Sequence, residues 1–410
     1  MRPIFESCVP RDEVLSGELR DEMFAARLKD VVEGHADTIY QDPLVFFDNT
    51  FVTAGLRTLA REVVGRLSGK KPSASPFVRL ETSFGGGKTH SLIALHHLAR
   101  GGSPSVPENL VPRSWIPSSP WKVAALVGND IDPANGVQHG SIQVRTLWGE
   151  LAWQLAGEKG YALIRESDEK LVSPGVPVLE TLVGEAPTLI MMDELARHYR
   201  TARAVATREG HSNLAEQAVA FLMSMIELAS SRQNVSLVIT LAESVDTFGS
   251  ETEEIRRELD EARKLSARQE LIVTPTGEDE ISNVVNHRLF KSIKADDARA
   301  TSKKYGEAYA GFESKGAELP AKALRAEYAS EIEKCYPFHP ELLSVLSRRV
   351  ATIPNFQRTR GVLRLLARVV RNLWDTRPAD TWLIHPHHVD LLLHDIANDL
   401  TSRLEKPTFL

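Results

Sequence analysis

The chain has 410 residues, too many for one ordinary domain, and its 42% hydrophobic and 25% charged residues are the balance of a soluble globular protein. A net charge of −6 argues against wrapping nucleic acid by bulk charge, though it leaves room for a local basic patch. Cys8 and Cys335 stand too far apart in sequence to suggest a disulfide framework or a zinc pattern, the N-terminus MRPIFESCVPRDEV has no apolar core, and no run approaches the roughly 20 apolar residues of a membrane span, so a cytoplasmic, non-membrane protein is expected.

Along the chain, Leu15, Leu19, Met23 and Leu28 recur at helix-like intervals. After Pro43 and the apolar patch 44–47, residues 53–67 read as an amphipathic helix with Leu56, Leu59, Val63 and Leu67 on one face. Residues 68–76 are a loop of Gly, Lys, Pro and Ser. Residues 77–80 are a short strand, followed by a glycine run and an apolar helix over 91–100 that Gly101 and Gly102 close. Beyond the Pro/Ser-rich loop 103–120, residues 121–127 (WKVAALV) read as a buried strand and 146–156 as a helix. Residues 189–192 are an apolar run ended by two acids, 214–229 a helix, 235–241 a β-rich run and 271–273 a short one. Strands alternating with helices predict a parallel sheet covered by helices on both faces. From Thr276 the patterns are mostly helical, at 277–290, 321–335, 341–350 and 360–374. The expected organisation is an N-terminal helical segment (1–75) packing on an α/β P-loop NTPase core (76–275), then a helical lid domain (276–410).

The run Thr82-Ser83-Phe84-Gly85-Gly86-Gly87-Lys88-Thr89-His90 sits between a strand and a helix. Phosphate oxygens need several backbone N–H donors converging on them, and glycines remove the side chains that would block that approach. A helix N-terminus adds its positive dipole end. Lys88 supplies a charge for the β- and γ-phosphates and Thr89 a hydroxyl for Mg²⁺, so ATP and Mg²⁺ are the expected ligands, held by Phe84 to His90. The generic pattern has glycine six residues before the lysine, where this chain has Thr82.

The apolar run 188–192 delivers Asp193 and Glu194 to the carboxyl edge of a parallel sheet, where ligands bind. Asp193 would hold the metal and Glu194 would polarise the attacking water. Thr240, ending the next buried strand, is a candidate to reach the γ-phosphate or that water, with Glu243 and Ser244 as weaker alternatives. Arg268, just before the last strand, is a candidate finger toward a neighbouring subunit's ATP, although its surroundings also read as a salt-bridged solvent face. In the helix opened by Phe356, Arg364 is the candidate lid arginine and Arg358 and Arg360 compete with it. His385, His387 and His388 cluster without clean metal spacing, and Trp148 and Trp153 read as packing residues.

FGGGKTH, LWGELAWQLAG (147–157), MDELARHY (192–199) and FQRTRGVLRLLA (356–367), in that order and preceded by FAARL and YQDPLVFFDNT (40–50), resemble a family of AAA+ ATPases long catalogued as a domain of unknown function. The resemblance runs from about residue 12 onward. It implies a motor or remodelling subunit of a DNA-directed anti-phage defence system, working beside a methylase, helicase or nuclease; a homo-oligomer and contact with nucleic acid are compatible with that expectation. It also implies that residues 50–56 lie beside the adenine. The alternative is a nucleotide-dependent switch or scaffold with little turnover.

Overall fold

The computed structural model describes residues 1–17, 27–81, 86–102, 106–207, 212–241, 251, 253, 255–257, 270–348, 350 and 358–401. They fall into two compact units, one from Ala26–Asp48 and Val52–Gly277, the other from Met1–Ala25, Asn49–Phe51 and Glu278–Leu410. Among the described residues no helix is long and apolar enough to cross a membrane.

The first unit is built on five parallel strands: β1 (Phe77–Leu80), β2 (Lys122–Val127), β3 (Thr188–Asp193), β4 (Val235–Thr240) and β5 (Glu270–Val273). They are ordered β2-β3-β4-β1-β5 across the sheet. Every residue of β1, β3 and β4 is buried. Strands covered on both faces carry near-continuous apolar runs, which is why VSLVIT and TLIMMD show no alternation. Alternate side chains along each strand feed opposite cores. Val78, Leu80, Leu189, Met191 and Val238 face α1 (Ala54–Leu67) and α2 (Lys88–Arg100). Ile190, Met192, Leu237 and Ile239 face α3 (Leu147–Lys170), α4 (Leu195–Ala202) and α5 (Leu214–Ser231).

Two local devices complete the sheet. Gln154 of α3 receives the Ala125 N–H at 2.7 Å and donates to the Ala125 carbonyl at 3.1 Å, pairing backbone groups on the outer edge of β2. α3 is longer than its apolar period suggests, because Ala156 and Gly157 leave helical geometry and restart it in a new direction. A short antiparallel hairpin, Val137–His139 with Ile142–Val144, lies between β2 and α3 in the chain.

The second unit is mainly helical: α6 (Ile281–Leu289), α7 (Ala295–Ser314), α8 (Ala326–Cys335), α9 (Pro340–Arg348), α10 (Arg358–Thr376) and α11 (His394–Thr401). Its core gathers Leu289, Phe290, Ile332, Phe338, Leu366, Val370 and Ile384, joined by Ile4, Cys8 and Val14 from the start of the chain. Cys8–Pro10 pairs antiparallel with Phe290–Ile293.

Candidate functional site

Parallel pairing brings three strand ends to one edge of the sheet. Leu80 of β1 lies beside Thr240 of β4, and Met192 of β3 beside Ile239. β4 therefore stands between the strand that precedes the Gly-rich segment and the strand that ends in the acids.

From β1 the chain passes through residues 82–85, so Thr82, Phe84 and Gly85 lie outside the described residues. It resumes at Gly86, and Gly87 caps α2 with φ 90°. That left-handed conformation suits glycine, and a Cβ there would stand 3.0 Å from Thr276 Oγ1 and 3.3 Å from Pro275 Cβ. Lys88 and Thr89 then occupy the first turn of α2. His90 stacks on Phe46, with ring centroids 4.6 Å apart, and Tyr40 meets its edge at 6.5 Å.

Asp193 is the last residue of β3 and is 4% exposed. Its carboxylate accepts hydrogen bonds from the Thr89 hydroxyl at 3.0 Å, the Thr240 hydroxyl at 2.5 Å and the Glu194 N–H at 3.1 Å. The Thr240 oxygen also accepts the Glu194 N–H at 3.3 Å. A buried carboxylate held by this many donors is kept in one orientation. Glu194 itself adopts φ 54°, ψ 33°, a left-handed conformation uncommon for a side chain of its size. Its carboxylate is half exposed, 4.0 Å from the Arg197 guanidinium. Thus Thr89, Asp193, Glu194 and Thr240 converge from three separate segments of the chain.

Arg268, Glu243 and Ser244 lie outside the described residues. Arg364 belongs to the helical unit, where it is 7% exposed and pairs with Asp399 at 3.0 Å. Arg368 shares that carboxylate at 2.9 Å. The His385 ring is held by the Tyr305 hydroxyl at 2.8 Å and stacks on His339 at 4.7 Å.

Two residues absent from the motif reading border the site. Gly128 follows β2, and its N–H donates to the Asp193 carbonyl at 2.8 Å. His198, fully buried on α4, bonds the Ile131 carbonyl at 3.2 Å through Nδ1, and burial holds its pKa down at about 4. A lone glycine after a strand and a histidine inside a helix carry no local signal; only their approach to Glu194 marks them.

A family model described as the DUF499 N-terminal domain matches residues 5–111 and 121–270, and one described as the DUF499 second domain matches residues 276–406. No curated protein matches the chain.

Proposed function

The chain belongs to the DUF499 family, and from that premise we propose that it is a P-loop ATPase of the AAA+ kind, with Asp193 as its metal-positioning acid and Glu194 as its hydrolytic base. One observation carries the reading: the Thr89 hydroxyl, one residue into a helix that follows a glycine run, donates to the Asp193 carboxylate at 3.0 Å. A hydroxyl and a carboxylate so placed are the pair with which such enzymes hold nucleotide-bound Mg²⁺. The donor set fits that ion, because Mg²⁺ takes oxygen ligands and uses only one or two carboxylates beside the phosphates. Held by Thr89 and Asp193, Mg²⁺ would neutralise charge that develops on the phosphates during transfer.

The chain's own groups divide the remaining work. Lys88 and the N–H groups of the first turn of α2 receive the phosphates. Thr240 fixes the orientation of Asp193 and the backbone of Glu194. Glu194, with a half-exposed carboxylate beyond the buried aspartate, is placed to orient a water for attack. The order β2-β3-β4-β1-β5 supports the same reading, since it inserts the strand of Thr240 between the two motif-bearing strands. The work driven by hydrolysis is, in this proposal, remodelling within a DNA-directed anti-phage system.

The test is steady-state phosphate release with and without DNA. Magnesium-dependent hydrolysis that DNA stimulates is expected. A chain that binds no ATP in calorimetry overturns the assignment. ATP binding without turnover leaves only the switch.

A further inference from the structure

Glu194 holds a strained backbone at the point where the chemistry is placed, and such a conformation persists only where its surroundings enforce it. Three contacts do so. The Glu194 N–H is drawn onto Asp193 Oδ1 and Thr240 Oγ1 at 3.1 and 3.3 Å. Its carbonyl accepts the Arg197 N–H at 3.1 Å, starting α4. On the remaining side lies Gly128. A Cβ at Gly128 would stand 2.5 Å from the Glu194 carbonyl oxygen, 3.1 Å from its carbonyl carbon and 2.9 Å from His198 Cβ. Backbone atoms cannot yield as a flexible side chain can, so the Glu194 peptide would have to move. His198 closes the enclosure from behind, tying α4 to the Ile131 carbonyl at 3.2 Å. The Gly128 N–H meanwhile bonds the Asp193 carbonyl at 2.8 Å, so β2 and the acid-bearing turn are in register at this point.

We propose that Gly128, backed by His198, is a positioning residue for Glu194: the absent side chain lets the Glu194 peptide lie against β2 and so aims its carboxylate. This rests on the assignment of Glu194 as the hydrolytic base. The requirement at Gly128 is one of space, and any Cβ violates it.

The experiment uses the full chain with Gly128→Ala, alone and combined with Glu194→Gln. It measures kcat, KM for ATP, binding of a non-hydrolysable ATP analogue and the melting curve. Gly128→Ala is expected to lower kcat about a hundredfold, the scale of a misplaced catalytic group. KM and analogue binding should hold, because Lys88 and Thr89 are untouched. In the Glu194→Gln background the same substitution should lower residual turnover no further. Full kcat in Gly128→Ala, beside a loss in Glu194→Gln, overturns the positioning role alone. An equal factor lost in both backgrounds, with analogue binding falling in step, also overturns it. Wild-type turnover in Glu194→Gln by itself overturns the base assignment and this proposal with it. If Gly128→Ala fails to fold, His198→Ala and His198→Gln take its place. The alanine variant should lose kcat at constant KM, and glutamine, which keeps a donor for the Ile131 carbonyl, should recover part of it. Wild-type kcat in His198→Ala overturns the proposal.

Discussion

At the scale of single side chains, the proposed site assigns binding to Lys88 and chemistry to Glu194. Lys88→Ala should abolish measurable ATP binding, because a charge-assisted phosphate contact in a partly dry site contributes roughly 1.5–3 kcal/mol or more. Unchanged affinity in calorimetry would show that the Gly-rich segment is an ordinary turn. Glu194→Gln keeps the shape and removes the proposed base. It should bind ATP as the wild type does and lose turnover by about a hundred- to ten-thousand-fold. Retained turnover would transfer the role to Glu243.

At the scale of elements, α2 carries a pH dependence. Both ring nitrogens of His96 are buried with no hydrogen-bond partner among the described residues. Burial, then the neighbouring His97 and Arg100, lowers its pKa from 6.5 to about 4. Above pH 6.5 the ring is neutral in folded and unfolded chains alike. Between there and about 4 only the unfolded chain takes up the proton, so stability present at neutral pH is lost progressively as pH falls through that window. The contribution is on the order of a few kcal/mol. His96→Leu should therefore flatten the fall of melting temperature with acidification; parallel curves for variant and wild type would refute this.

A second element-scale device is the carboxylate of Asp399, which joins α11 to α10 through Arg364 and Arg368. Arg364→Ala leaves that buried carboxylate with one of these two arginines and should cost about 2 kcal/mol of stability, read as a lower melting temperature. A sensing role for Arg364 requires it to exchange Asp399 for a phosphate. Its signature is loss of the extra stabilisation that ATP gives the wild type, beyond the shift seen without nucleotide. An unchanged melting curve in both buffers would exclude both roles.

For the whole molecule the open question is assembly. β5 is an edge strand, paired only with β1 among the described residues, and Arg268 lies two residues ahead of its first residue, Glu270. If subunits stack against that edge, Arg268 acts on a neighbour's ATP, and a cation supplied in trans to the transferring phosphoryl group is worth about a thousand-fold or more. Arg268→Ala and Lys88→Ala should each be nearly inactive, and mixing them should restore activity, the first contributing an intact ATP site and the second an intact arginine. Light scattering should show a larger particle in ATP analogue than in nucleotide-free buffer. A dead mixture and a specific activity that is flat on dilution would make Arg268 a surface arginine.

The sequence by itself determined the elements whose character is local. β1, β3 and β4 are continuous apolar or β-rich runs because both of their faces are buried, and residues 77–80 and 235–241 could be read within a residue of Phe77–Leu80 and Val235–Thr240. Glycines beside a lysine, and two acids after an apolar run, are likewise local patterns, and a few consecutive residues suffice to mark them as a candidate site. α7 was not legible, because its 20 residues bury only Ala298, Thr301 and Ser302 and so show no apolar period. The restart of α3 at Ala156 and Gly157 hid its second half, since a helix that changes direction breaks its own periodicity. Tertiary structure alone decided the strand order, the pairing of Cys8–Pro10 with Phe290–Ile293, and the meeting of Thr89, Thr240 and Glu194 on Asp193. It alone decided that Gly128 must lack a side chain. These are contacts between distant segments, settled by which faces bury together and how closely two backbones approach, and no window along the chain contains both partners.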